Sequence, residues 1–119
     1  MSRIEKVAGM LKAEIGLIIQ TKLSDPGLGF VTISEVRLSR DLRIANVYFT
    51  VLGDQSKIEE TKAALNRARP YIQNMLAGRV HLRYLPVLKF FYDSSLEYSD
   101  KIERLLQSIR QSENDESDG

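Results

Sequence analysis

Apolar side chains along this chain keep two different periods, and the points where one gives way to the other divide it into elements. After Ser2, residues Ile4, Val7, Leu11, Ile15 and Ile18 step by three or four, the spacing of a helix with one buried face running to about Lys22. Over "ANVYFTVL" the step falls to two: Ala45, Val47, Phe49 and Val51 alternate with Asn46, Tyr48 and Thr50, as a half-buried strand requires. "VTISEVRLS" alternates as well, but Val31 and Ile33 are out of phase with Val36 and Leu38, so a bulge is expected near Ser34 and Glu35. The short polar link "SRDLR" (39–43) suits a hairpin, and "SDPGLG" (24–29) a turn into the sheet. Helical spacing returns at Ile58, Leu65, Ala68, Ile72 and Met75 or Leu76. A third strand, "VLKFFYD", follows Pro86 with Leu88, Phe90 and Tyr92 inward, and Ile102, Leu105, Leu106 and Ile109 mark a last helix.

Three Ser-x-x-Glu signatures, Ser2 to Glu5, Ser56 to Glu59 and Ser94 to Glu97, propose capping boxes at three helix starts. The order helix, strand, strand, broken helix, strand, helix predicts an α+β fold, a three-stranded sheet with helices on one face. A chain of 119 residues supports one such domain, expected over 1–109, followed by an acidic, disordered tail over 110–119.

The break is Pro70, in "AALNRARPYIQNML" (63–76). Proline has no amide hydrogen and its ring clashes with the carbonyl four residues back, yet it suits the first position of a new helix. One reading ends a helix at Ala68 and Arg69 and opens another at Pro70, leaving unpaired amides beside Arg67 and Arg69 as a phosphate site. The other has Pro70 bend a single helix around the sheet with its arginines in solvent.

Function classes narrow by composition. With 43% hydrophobic and 28% charged residues the chain is ordinary for a globular protein. No apolar run is long enough to span a bilayer and the N-terminus has no signal-peptide core, so a cytosolic protein is expected. The absence of cysteine removes disulfides, thiolate nucleophiles and cysteine metal sites, and a single histidine, His81, makes zinc or a catalytic triad improbable. Asp41 reads as a turn residue. A non-enzyme without metal or cofactor is expected. Residues 1–110 hold 17 bases and 12 acids, whereas "QSENDESDG" holds four acids and no base. A basic body of this kind fits a polyanionic partner. The bases fall in three places: Arg3, Lys6 and Lys12 on the first helix; Arg40 and Arg43 in the hairpin; Arg67, Arg69, Arg79 and Arg83 around the broken helix. "PGLGFVTI" (26–33) overlaps the RRM octamer but lacks its leading base and two aromatics, and is read as turn and core. Tyr48 and Phe91, on the outward strand phase, are the aromatics that could stack on bases.

Helix, strand, strand, helix, turn, helix, strand is the order of the type II KH domain, although the chain has no GxxG. "DPGLGFVTISEVRLSRDLRIANVYFTVL" (25–52), "ALNRARPYIQNML" (64–76) and "LRYLPVLKFFYDSSLE" (82–97) closely resemble the ribosome-binding factor A family, whose KH-like domain carries Ala-x-Gly at the helix junction. With the first helix, the resemblance covers residues 1 to about 109. The family motif falls on Ala68, Arg69 and Pro70, so proline stands here in place of the usual glycine. The resemblance implies a monomeric assembly factor that binds the 30S subunit precursor and 16S rRNA and assists its late maturation and 5′ end processing, most needed in the cold. It also implies contacts to ribosomal proteins or an assembly GTPase. A protein–protein adaptor acting mainly through such partners is the alternative.

Overall fold

The computed structural model describes residues 2–117, and for residues 96, 98, 99 and 112–117 the backbone only. The elements are α1 (Arg3–Lys22), β1 (Val31–Leu38), β2 (Ile44–Val51), α2 (Gln55–Ala77), β3 (Val87–Tyr92) and α3 (Ser95–Ser117). The strands lie in the order β1-β2-β3. β1 and β2, joined by the hairpin, pair antiparallel, while β2 and β3 pair parallel from Ile44↔Val87 to Phe49↔Tyr92. A parallel pair needs a long crossover, and α2 supplies it.

Helices α1 and α2 cover one face of this mixed sheet, as the periodicity predicts. Leu11, Ile15 and Ile18 from α1, Ala45, Val47 and Phe49 from β2, Leu65, Ile72 and Leu76 from α2, and Leu88 from β3 are fully buried in one core. Each large side chain so buried contributes roughly 1.5–3 kcal/mol relative to exposure. The expected bulge is present: the register shifts between Ile33 and Glu35. The extra residue, Ser34, turns its hydroxyl to Asp93, donating to Oδ2 at 2.6 Å and tying the bulge to the end of β3.

Of the three serines expected to cap helices, Ser2 does so and Ser56 does not, while the start of α3 is held by other groups. Ser2 Oγ accepts the Glu5 amide at 3.1 Å; α3 begins directly after Ser94, but there the Ser95 amide donates to Asp93 Oδ1 and Glu97 Oε1 accepts from the Tyr92 hydroxyl. For α2 the cap is Asp54, whose carboxylate accepts the Lys57 amide at 3.0 Å, so Ser56 lies inside the helix. Gly53, at φ 134, makes the turn that aims Asp54, and the Ser-x-x-Glu pattern could not register it.

Pro70 also behaves differently from the first reading above. The helix continues from Gln55 to Ala77 with Pro70 inside it, so no second helix start opens there. Ala64 and Leu65 before the proline and Ile72 and Leu76 after it are all fully buried against the same core, which holds both halves in one element. Pro70 itself is exposed, and the one carbonyl its missing N–H orphans, that of exposed Asn66, can turn to water.

α3 projects from the rest, which gives the molecule extents of 67 × 37 × 19 Å. At its root the Tyr92 hydroxyl donates to Glu97 Oε1 at 2.7 Å and the Ser95 amide to Asp93 Oδ1 at 2.9 Å. Its apolar stripe of Ile102, Leu105, Leu106 and Ile109 is exposed. The backbone is helical to Ser117; the side chains of the acidic stretch 112–117 and residues 118–119 lie outside the described residues. Among the described residues no helix is long and apolar enough to cross a membrane.

Candidate nucleic-acid interface

The nine bases singled out in the sequence are not equivalent in space. Arg67 and Arg79 are committed to carboxylates on other elements, whereas Arg43 has only an exposed pair with Asp41 of its own hairpin, at 4.0 Å. Arg67 Nη2 lies 3.1 Å from Asp25 Oδ2, linking α2 to the loop after α1, and Arg79 Nη1 lies 3.4 Å from Glu14 Oε2, linking the end of α2 back to α1. The Asp25 carboxyl sits below the usual aspartate range because its Oδ1 accepts the Gly27 amide at 2.8 Å, with the Arg67 hydrogen bond second. Arg69 is half-buried on α2, next to Pro70, and has no carboxylate partner among the described residues. Without a second helix start, the free amides expected beside it are absent, and it can act only through its side chain. Lys6 is exposed on α1, and Lys12 lines a shallow groove of about 350 Å³ where Gly9 and Gly16 of α1 face Thr32 of β1.

Three bases, one from each sequence group, do come together. Arg3 at the start of α1, Arg43 in the hairpin and Arg83 in the loop before β3 line one groove of about 580 Å³. The topology dictates this: antiparallel β1–β2 and parallel β2–β3 pairing bring the hairpin and the start of β3 to the same end of the sheet, where α1 begins. Arg40 is exposed in the same hairpin. The groove floor is apolar, with Val7, Leu38, Leu42, Leu82, Leu85 and Val87, and Tyr84 stands at its side, 73% exposed, with the Arg83 guanidinium 5.5 Å from its ring centroid.

Leu42 holds this end in an unusual conformation. Its φ is 61, the left-handed region, at a cost of about 1–2 kcal/mol for a residue with a Cβ. A closed hydrogen-bond set imposes it: Ser39 Oγ donates to Asp41 Oδ1 at 2.6 Å, and the Arg43 amide reaches Asp41 Oδ1 at 3.1 Å. The Ile44 amide donates to Ser39 Oγ at 3.0 Å, and the Leu42 amide to the Ser39 carbonyl at 2.9 Å. Asp41 is therefore a turn residue, its carboxyl held below the usual range first by the Ser39 hydroxyl and then by the Arg43 amide. Sequence reasoning missed Tyr84 and Leu42. An aromatic placed between elements in "LRYLP" was the available signal for Tyr84; nothing in the hairpin sequence marks Leu42.

The outward aromatics sit elsewhere. Tyr48 and Phe91 form a cross-strand pair at 5.8 Å between centroids on the sheet face away from the helices. Arg37, held by Glu35 at 2.9 Å, covers the Tyr48 ring at 5.5 Å. Among the described residues there is no cluster of three or more His, Asp or Glu side chains placed to hold a metal ion.

Comparisons with known proteins agree with this architecture. A family model described as Ribosome-binding factor A matches residues 3–106. The Staphylococcus carnosus ribosome-binding factor A is 42% identical over 107 residues, covering 90% of this chain and 93% of that protein. The Staphylococcus epidermidis one is 42% identical over 111 residues, covering 93% and 96%. Among solved structures, the crystal structure of ribosome-binding factor A from Thermus thermophilus superposes with a TM-score of 0.68 at 34% identity, covering 75% of this chain and 93% of that one. A Thermus thermophilus RbfA homology model fitted into the cryo-EM map of a 30S–RbfA complex gives 0.62 at 34% identity, covering 73% and 91%. With the match spanning nearly the whole folded body, this chain belongs to the ribosome-binding factor A family.

Proposed function

We propose that this protein binds the precursor of the 30S ribosomal subunit through 16S rRNA and assists its late maturation and 5′ end processing. It acts as a monomeric, non-enzymatic factor in the cytoplasm and is most needed in the cold. The observation that carries this reading is the Thermus thermophilus relative fitted in a 30S complex, at 34% identity over most of both chains. The rRNA contacts we propose begin with Arg3, Arg43 and Arg83, supported by Arg40, Lys6, Lys12 and Arg69. Arg67 and Arg79 join only by exchanging a carboxylate for a phosphate. A second reading, an adaptor that works mainly through ribosomal proteins or an assembly GTPase, is favoured by one observation, the exposed apolar stripe of α3.

Co-sedimentation with purified small and large subunits at low and moderate salt, using the wild type, Arg3→Ala/Arg43→Ala/Arg83→Ala and a chain ending at 94, separates the two. Selective small-subunit binding that weakens steeply with salt and is lost in the arginine variant supports rRNA binding, because released counterions make phosphate contacts salt-dependent. Salt-insensitive binding that disappears with α3 supports the adaptor. Equal binding to both subunits overturns both.

A further inference from the structure

The groove lined by Arg3, Arg43 and Arg83 has more than phosphate attraction requires. Bases that only neutralise a backbone need no cavity, yet these surround one of about 580 Å³ with an apolar floor, within the size range of small-ligand sites. An exposed tyrosine already stacked by a guanidinium stands at its side, and a leucine in a left-handed conformation, fixed by the Ser39–Asp41 network, forms part of that floor. One carboxylate, Asp41, also lines the groove: its Oδ1 accepts from Ser39 Oγ and the Arg43 amide, and its Oδ2 lies 4.0 Å from Arg43 Nε, a long and exposed pair that a phosphate can displace.

We infer that this groove takes one unstacked nucleobase of single-stranded RNA, laid against Tyr84 and the apolar floor, with the flanking phosphates on the three arginines. The inference rests on the rRNA-binding reading and adds to it a base pocket away from Pro70. A base inside a duplex is stacked and cannot enter, so the ligand is single-stranded. An apolar peptide would match the floor but not the cationic rim, whereas an aromatic beside arginines is the composition that binds unstacked bases.

Fluorescence anisotropy of a labelled ten-nucleotide single-stranded RNA, and of a duplex of the same length, tests this across a salt series with the full chain. Tyr84 is exposed, so replacing it leaves the core intact. Tyr84→Ala is expected to weaken single-strand binding about 5- to 150-fold without changing the salt slope, and Tyr84→Phe to retain most of the affinity. Arg3→Ala/Arg43→Ala/Arg83→Ala should flatten the slope of log affinity against log salt by about 2. Wild-type affinity in Tyr84→Ala, or duplex bound as tightly as single strand, overturns the base pocket. Co-sedimentation of the same samples keeps the two readings apart. Small-subunit binding without any effect of Tyr84 leaves the assembly function standing and removes the pocket; Tyr84-dependent RNA binding without small-subunit binding does the reverse.

Discussion

Two glycines show how much position decides at the scale of single residues. Gly53 has a positive φ, and a Cβ there would stand 2.7 Å from Lys57 Cβ, whereas a Cβ on Gly9 would meet nothing within 4 Å. Gly53→Ala is expected to destabilise the fold by about 1–3 kcal/mol, and Gly9→Ala to stabilise α1 by about 0.5–1 kcal/mol, both read from denaturant midpoints. Asp93 offers a pH-dependent test. Its carboxyl is held below the ordinary range first by the Ser34 hydroxyl, then by hydrogen bonds from Ser95. A depressed carboxyl stabilises the fold above the unfolded aspartate value near 4, and that contribution is lost as pH falls through the lowered folded value. Ser34→Ala removes the largest of these donors, so an NMR titration should find Asp93 closer to an ordinary aspartate. The bulge that places Ser34 was legible in the phase change between Ile33 and Val36. Its partner was not, because Asp93 is 59 residues away and only strand pairing brings the two together.

At the scale of elements, Pro70 is the test of how local preference and burial compete. The ring and missing amide cost roughly 3 kcal/mol in a helix interior, yet the helix persists because Leu65 and Ile72 are buried on either side. Pro70→Ala restores a donor for the Asn66 carbonyl and should raise the melting temperature by several degrees, on the order of 1–3 kcal/mol. A local rule pointed to two helices, whereas one continuous buried face joined them. The start of α2 was misplaced for a related reason: Ser56 matches the capping pattern, but the turn at Gly53 puts Asp54, with its charged acceptor, at the first amides.

The whole molecule divides into a packed body and a helix that projects from it. Among the described residues α3 is tied to the body through Tyr92–Glu97 and Asp93–Ser95, so deleting residues 95–119 should change the stability of the remainder by no more than about 1 kcal/mol, measured by thermal melting. The salt slope of RNA binding should survive that deletion, because Arg3, Arg43 and Arg83 lie in the body. The sequence by itself determined the strands, the bulge, the inward faces and the family, because alternation and helical spacing are local and survive without knowledge of the fold. It identified which residues carry positive charge, but not which of them are free. Tertiary structure decided that: it spent Arg67 and Arg79 on Asp25 and Glu14 and gathered Arg3, Arg43 and Arg83 along one groove, leaving Arg43 only an exposed pair with Asp41 at 4.0 Å. The physical reason is that strand order and direction bring together the ends of segments separated by forty residues or more, and no periodicity in the chain records which ends will meet.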